Sequence, residues 1–224
     1  MKLFPLNKLA LVALFATVAL TACEDKAPIV KEVEEAATTT ETIVEQANKI
    51  AQATIIIDTH IDVPYRLVEE YEDVSKATTQ GDFDYPRAVK GGLNAPFMSI
   101  YIPSKLQKTG GSKELADKLI DDVEVIVEQS PNKFALAYST TQVKENFAKG
   151  IISLPMGMEN GSPIAGDLAN LQHFYDRGIR YITLAHAKTN HISDSSYDEN
   201  RPAQGLTEFG KKLVVAMNNV GVMV

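Results

Sequence analysis

The 224-residue chain has no tryptophan and a single cysteine, Cys23. One cysteine excludes an internal disulfide and any cysteine-rich zinc site, so a metal ion would have to be held by His, Asp and Glu. Histidine is scarce as well: His60, His173, His186 and His191 are the full set. Lys and Arg number 22 against 29 Asp and Glu, and nowhere do they form a dense cluster. The resulting net charge of −7 disfavours nucleic acid as a partner. Apolar residues are plentiful at 45%, with 23% charged, a balance that builds a globular core.

The N-terminus has the layout of a targeting segment. Lys2 and Lys8 lie in a positive n-region, and Leu9 to Leu20 is an apolar h-region too short for an ordinary membrane span. Leu20-Thr21-Ala22-Cys23 then reads as a bacterial lipobox, with Cys23 lipidated at the mature N-terminus; cleavage near Ala22 as an ordinary signal peptide is the alternative. Either reading implies export. Residues 24–40, acidic and rich in Ala, Thr and Glu without apolar periodicity, read as a tether.

From residue 41 strands and helices alternate. Ile43, Val44, Ala47, Ile50 and Ala51 predict an amphipathic helix over 41–53. Thr54-Ile55-Ile56-Ile57 predicts a strand buried on both faces. Leu67 to Val74 reads as a loop or short helix, and Gly81 to Pro86 as a break. Further strands are expected at 95–102, 134–138, 151–156, 179–185 and 221–224. Helices are expected at 112–129, capped by Ser112, at 140–149, capped by Thr140, at 167–176, and from Thr207 to about 219. This alternation predicts an α/β fold with a parallel sheet. A (β/α)8 barrel is favoured, and a doubly wound sheet has the same local pattern. Without its leader the chain is shorter than the ~250 residues typical of that barrel. It is therefore expected to be truncated, with about six of eight strands present and the domain over 41–224 an N-terminal part.

Chemistry in such folds gathers at the C-terminal ends of the strands. Three ends carry suitable groups: His60 and Asp62, then Glu159, then His186. In an extended chain, positions two apart share a side, so His60 and Asp62 can converge on one cation. With a carboxylate alongside, such a set suits a hydrolytic zinc site. Each residue also has a plainer reading, as a solvated loop acid or a histidine bonded to backbone. For His173 (helix), His191 (loop), Asp194 and Asp198 the plainer reading is preferred, and Leu171, Phe174 and Tyr175 are read as helix-to-barrel packing.

The segments 58–64 (Asp-Thr-His-Ile-Asp-Val-Pro), 91–103, 157–161 (Gly-Met-Glu-Asn-Gly), 175–186 and 205–210 together resemble the membrane dipeptidase family, peptidase family M19, in collinear order over 54–224. The resemblance implies that His60 and Asp62 bind one zinc, that Glu159 bridges two, and that His186 contacts substrate and steadies the tetrahedral intermediate. It implies dipeptide hydrolysis by a metal-activated hydroxide, with two Zn2+ per intact site. The second zinc's histidines, a substrate-binding arginine and a catalytic aspartate belong to segments that would follow Val224, so this chain alone is expected to be inactive or nearly so. Asn160 stands where the family pattern has glycine or another small residue. A homodimer is compatible with the resemblance, and membrane attachment would come through the lipid on Cys23. Two other readings remain: an amidohydrolase-type metal hydrolase acting on a cyclic amide or lactone, and a non-catalytic lipoprotein that serves as a binding module.

Overall fold

The computed structural model describes residues 41–224; the expected signal peptide, Cys23 and the tether lie outside the described residues. The elements in chain order are α1 (Ile43–Ala53), β1 (Ile56–Ile61), α2 (Val63–Glu69), α3 (Tyr85–Gly91), β2 (Leu93–Tyr101), α4 (Leu106–Thr109) and α5 (Ser112–Gln129). Then come β3 (Phe134–Leu136), α6 (Thr140–Ala148), β4 (Ile152–Leu154), β5 (Met156–Glu159), α7 (Leu168–Asp176), β6 (Ile179–Thr183) and α8 (Glu208–Val220).

One sheet runs β1-β2-β5-β6, and β3 pairs with β4. Every strand pairing is parallel. Parallel neighbours joined through helices are βα units, and the sheet is the arc of a (β/α)8 barrel that does not close among the described residues. The expected sixth strand is reduced to a single parallel bridge between Tyr181 and Met223. Pro155 splits the expected fourth strand into β4 and β5. It has no N–H to give a ladder, while its carbonyl accepts from Met98 N at 2.8 Å.

The core lies between strands and helices. On α5 the apolar stripe Ala116, Leu119, Ile120 and Val123 is buried, and Leu171 and Phe174 of α7 and Leu213 and Met217 of α8 join it. Met98 and Ile100 of β2 and Met156 and Met158 of β5 meet these helices with almost no exposure. Each such side chain contributes roughly 1.5–3 kcal/mol of burial, so Phe174→Ala is the kind of single change that would cost about 3–5 kcal/mol. Leu171 and Phe174 thus pack as expected. At α8, Gly210 is needed because a Cβ there would lie 2.0 Å from the Ile192 carbonyl oxygen.

Two cap assignments are corrected. Ser112 is the first helical residue, not the cap: Gly111 in the left-handed region precedes it and supplies no side-chain bond. At α6 the cap is Ser139, whose hydroxyl accepts from Gln142 N, rather than Thr140. In both cases a neighbouring small residue already holds the non-helical backbone an N-cap requires. Thr207 does cap α8, accepting from Gly210 N.

β1 departs from the expected buried strand. It is the edge of the sheet, with Ile57 51% exposed, and it runs past Asp58 and His60 to Ile61. Burial on both faces needs neighbours that this edge does not have among the described residues. α1 forms as expected, closed by a Thr42–Glu45 capping box, yet its apolar side chains Ile43, Val44 and Ile50 face outward. Its amphipathic pattern is read correctly as helix, but the stripe is not covered by the described residues. No described helix is long and apolar enough to cross a membrane.

Candidate metal centre

A parallel sheet brings the C-terminal ends of its strands to one rim. His60 arrives from β1, Glu159 is the last residue of β5, and His186 lies just beyond β6, which ends at Thr183 rather than at the expected residue 185. Asp62 follows β1 at the N-cap position of α2, where the backbone has already turned (φ −86°, ψ 37°). The two side chains of the His-x-Asp pair nevertheless converge, with His60 Nε2 3.4 Å from Asp62 Oδ1.

Glu159 is the centre of the arrangement. Its Oε2 accepts from Ser99 Oγ at 3.0 Å and faces His60 Nε2 at 2.9 Å, while its Oε1 faces His186 Nε2 at 2.9 Å. The carboxylate is buried and each oxygen addresses a different imidazole. One nitrogen and two carboxylates are donors that zinc accepts. Ligands 2.0–2.1 Å from a tetrahedral ion lie about 3.3 Å apart, and the 2.9 and 3.4 Å spacings around His60 Nε2 bracket that value. His60, Asp62 and Glu159 could therefore hold a metal ion, and they are the one such cluster among the described residues. His186 touches the cluster through Glu159 without belonging to it.

A cleft of about 420 Å³ opens beside these groups, lined by Asp62, Tyr65, Arg66, Glu69, Tyr101, Glu159 and His186. Tyr101 meets Tyr65 and His186 edge-on. Burial, then the Glu159 charge, pushes the Tyr101 phenol up, so it faces the cleft as a neutral hydrogen-bonding group. An apolar cavity of about 460 Å³, lined by Ile57, Phe97, Val143, Pro155 and Met223 among others, contains no histidine or carboxylate. It has nothing to hold a cation.

Asn160 gains a physical account. Its φ is 77°, a left-handed conformation that asparagine tolerates better than most residues. Fully buried, its Nδ2 donates to the Ile102 carbonyl at 2.9 Å, and its Oδ1 accepts from Gln107, Asn190 and Ser162 N. The side chain thus ties the residue after Glu159 to three neighbouring segments.

His173, Asp198 and Asp194 take part in hydrogen bonds away from this cluster, and His191 packs on an aromatic ring. His173 Nε2 pairs with Asp117 at 2.6 Å, joining α7 to α5. His191 packs on Phe209, and burial pushes its imidazole down, toward the neutral form. Asp198 accepts from Thr189 N and Asn200 N, and Asp194 from Gly205 N, so both shape the loop that the sequence reading left as solvated. Ser99 and Tyr181 also touch the candidate metal cluster, and neither is among the residues expected from the sequence. Ser99 sits between Met98 and Ile100 in an apolar run, and a polar residue at an inward position of a buried strand was the available signal.

A family model described as membrane dipeptidase (peptidase family M19) matches residues 44–224. An uncharacterized dipeptidase of Schizosaccharomyces pombe is 31% identical over 184 residues, covering 75% of this chain and 45% of that protein. Among solved structures, the probable dipeptidase PvdM of Pseudomonas aeruginosa has a TM-score of 0.69 at 21% identity, covering 80% of this chain and 48% of that one. A Rhodobacter sphaeroides metallopeptidase, liganded with a phosphinate mimic of the dipeptide L-Ala-D-Ala, has a TM-score of 0.67 at 22% identity, covering 75% and 57%. The chain spans about half the length of these relatives, and it belongs to the membrane dipeptidase family, peptidase family M19.

Proposed function

We propose that the intact protein is an exported zinc dipeptidase, in which His60, Asp62 and Glu159 hold metal and His186 acts on substrate. The observation that carries this reading is the buried Glu159 carboxylate, whose oxygens are divided between two histidines at an open cleft. Zinc in such a donor set lowers the pKa of a coordinated water to about 7 and polarises a carbonyl oxygen. The protein's own groups do the rest. Ser99 fixes Glu159 Oε2, so the carboxylate cannot rotate away from His60. His186, half-exposed beside the cleft, is positioned to donate to an oxygen that gains negative charge as a peptide carbonyl turns tetrahedral. Tyr65 and Tyr101 wall a space suited to a short substrate. Dipeptides are the proposed substrates, including those with a D-residue at the C-terminal position, consistent with the ligand of the Rhodobacter sphaeroides relative.

The proposal includes a second zinc, for which Glu159 would also be a ligand, with the remaining ligands outside the described residues. Accordingly the 224-residue chain alone is expected to hydrolyse dipeptides poorly or not at all. Hydrolysis of L-Ala-D-Ala and L-Ala-L-Ala by a chain as long as the relatives, with and without chelator, tests the reading. Chelator-sensitive turnover lost in His60→Ala supports it, and faster turnover of a lactone than of any dipeptide overturns it. Anchoring through Cys23 is tested separately, by membrane fractionation of Cys23→Ser, which should release the protein.

A further inference from the structure

Outside the donor set, one side chain touches the proposed metal ligands in a way that the site chemistry does not use. The Tyr181 hydroxyl lies 2.7 Å from His60 Nδ1, on the side of the ring facing away from Glu159. The two rings stack at 25° with centroids 6.2 Å apart, and Phe97 packs on the tyrosine at 5.4 Å. Tyr181 therefore holds both the plane and the far nitrogen of His60.

Gly157 supplies an independent observation. It sits within β5, opposite Tyr181 in the register, where glycine weakens a strand. No left-handed backbone requires it, since its φ is not among the positive values. A Cβ at 157 would fall 2.0 Å from the Tyr181 ring carbon that bears the hydroxyl. The strand gives up a side chain at the one place where the tyrosine ring must lie flat against it.

The hydrogen-bond inventory then assigns a role. Glu159 as a carboxylate only accepts, so a hydrogen bond between them needs the proton on His60 Nε2, and in that tautomer Nδ1 accepts from the Tyr181 O–H. When Nε2 gives its lone pair to a metal, the ring proton is on Nδ1 instead, and the partner there must accept. A hydroxyl does both; a carboxylate or a carbonyl could serve only the second state. We propose that Tyr181 is a positioning residue for metal binding, orienting the His60 ring through a hydrogen bond whose direction reverses when metal occupies Nε2. This rests on the zinc reading above.

The test uses the full 224-residue chain and zinc alone. Calorimetric titration compares the unsubstituted chain, His60→Ala and Tyr181→Phe, with thermal melts to show that each folds. Expected are binding by the first, none by the second, and a 10–100-fold weaker affinity in Tyr181→Phe, the usual cost of losing an outer partner of a ligating histidine. Nitrogen-15 spectra of His60 give a readout that a packing role would not move. The unsubstituted, metal-free ring should be the Nε2–H tautomer, changing to Nδ1–H with zinc, and Tyr181→Phe should mix the tautomers before zinc is added. Gly157→Ala, which displaces the ring but keeps the hydroxyl, should weaken zinc binding in the same direction. Zinc binding that His60→Ala abolishes and Tyr181→Phe leaves within twofold overturns the positioning role alone. No zinc binding by the unsubstituted chain overturns the metal reading, and the positioning role with it.

Discussion

β1 and β5 each deliver donors to the same rim, and they do so from opposite environments. All four residues of β5 are buried, and Glu159 reaches the rim with Ser99 and two histidines already in place. β1 is exposed at four of its six positions, and Asp62 leaves it with its side chain 65% exposed. A carboxylate taken out of water is stable only when its oxygens are satisfied, so the β5 side is set before any ligand arrives. The β1 side is held mainly by contacts made at the site. One half of the candidate centre is buried and already hydrogen-bonded, and the other is open to water.

Glu159→Gln attacks the buried half and should have a larger effect than loss of the Asp62 charge, lowering zinc affinity about a thousandfold in a calorimetric titration, the scale of losing a buried charged partner. Asp84 is a second buried carboxylate, and it carries the comparison away from the site. Burial pushes its carboxyl up, but the Thr78 and Arg87 N–H groups and the Arg87 side chain outweigh this and hold it at about 2. Asp84→Ala should therefore cost about 3 kcal/mol in urea unfolding, through a lost N-cap and lost charged hydrogen bonds. Because the folded pKa lies below the unfolded value of ~3.9, this stabilisation is complete above that pH and is lost as pH falls toward 2. Acid titration of Asp84→Asn should show a correspondingly flatter decline between about pH 4 and 2.

Asp62→Asn attacks the exposed half and should weaken zinc by only about tenfold, since water screens an exposed charge. An effect equal to that of Glu159→Gln would break the contrast between the two strands. The smallest effects are expected for a methylene pair. Ile100→Val, in the buried middle of β2, should cost about 0.5–1.5 kcal/mol by thermal melting, and Ile57→Val on β1 less than about 0.5. Equal costs would mean that β1 is covered in solution.

The same contrast explains what was legible in the sequence. α5 is legible apart from its cap because Leu115, Leu119, Val123 and Ile126 repeat at helical spacing and meet a core on one side. That His60, Asp62, Glu159 and His186 lie near one another is legible because parallel folds place strand ends together, and polar groups at such ends stand out against apolar runs. β1 was misjudged because three isoleucines record suitability for a strand and say nothing of whether a neighbour covers it. β5 was cut short because Met-Gly-Met-Glu has none of the β-branched residues that mark strands. Tyr181 escaped notice because its partner lies 121 residues away, a distance at which local pattern has no information.

Asn160 has a consequence for how this sequence can drift. Its Oδ1 is shared by Gln107 and Asn190, and its Nδ2 fills the Ile102 carbonyl. A chain with glycine at that position keeps the backbone turn but deprives two side-chain amides, the Ser162 N–H and one carbonyl of this partner. Substitution of Gln107, Asn160 or Asn190 alone should therefore cost more than the same substitution with a compensating change at the others.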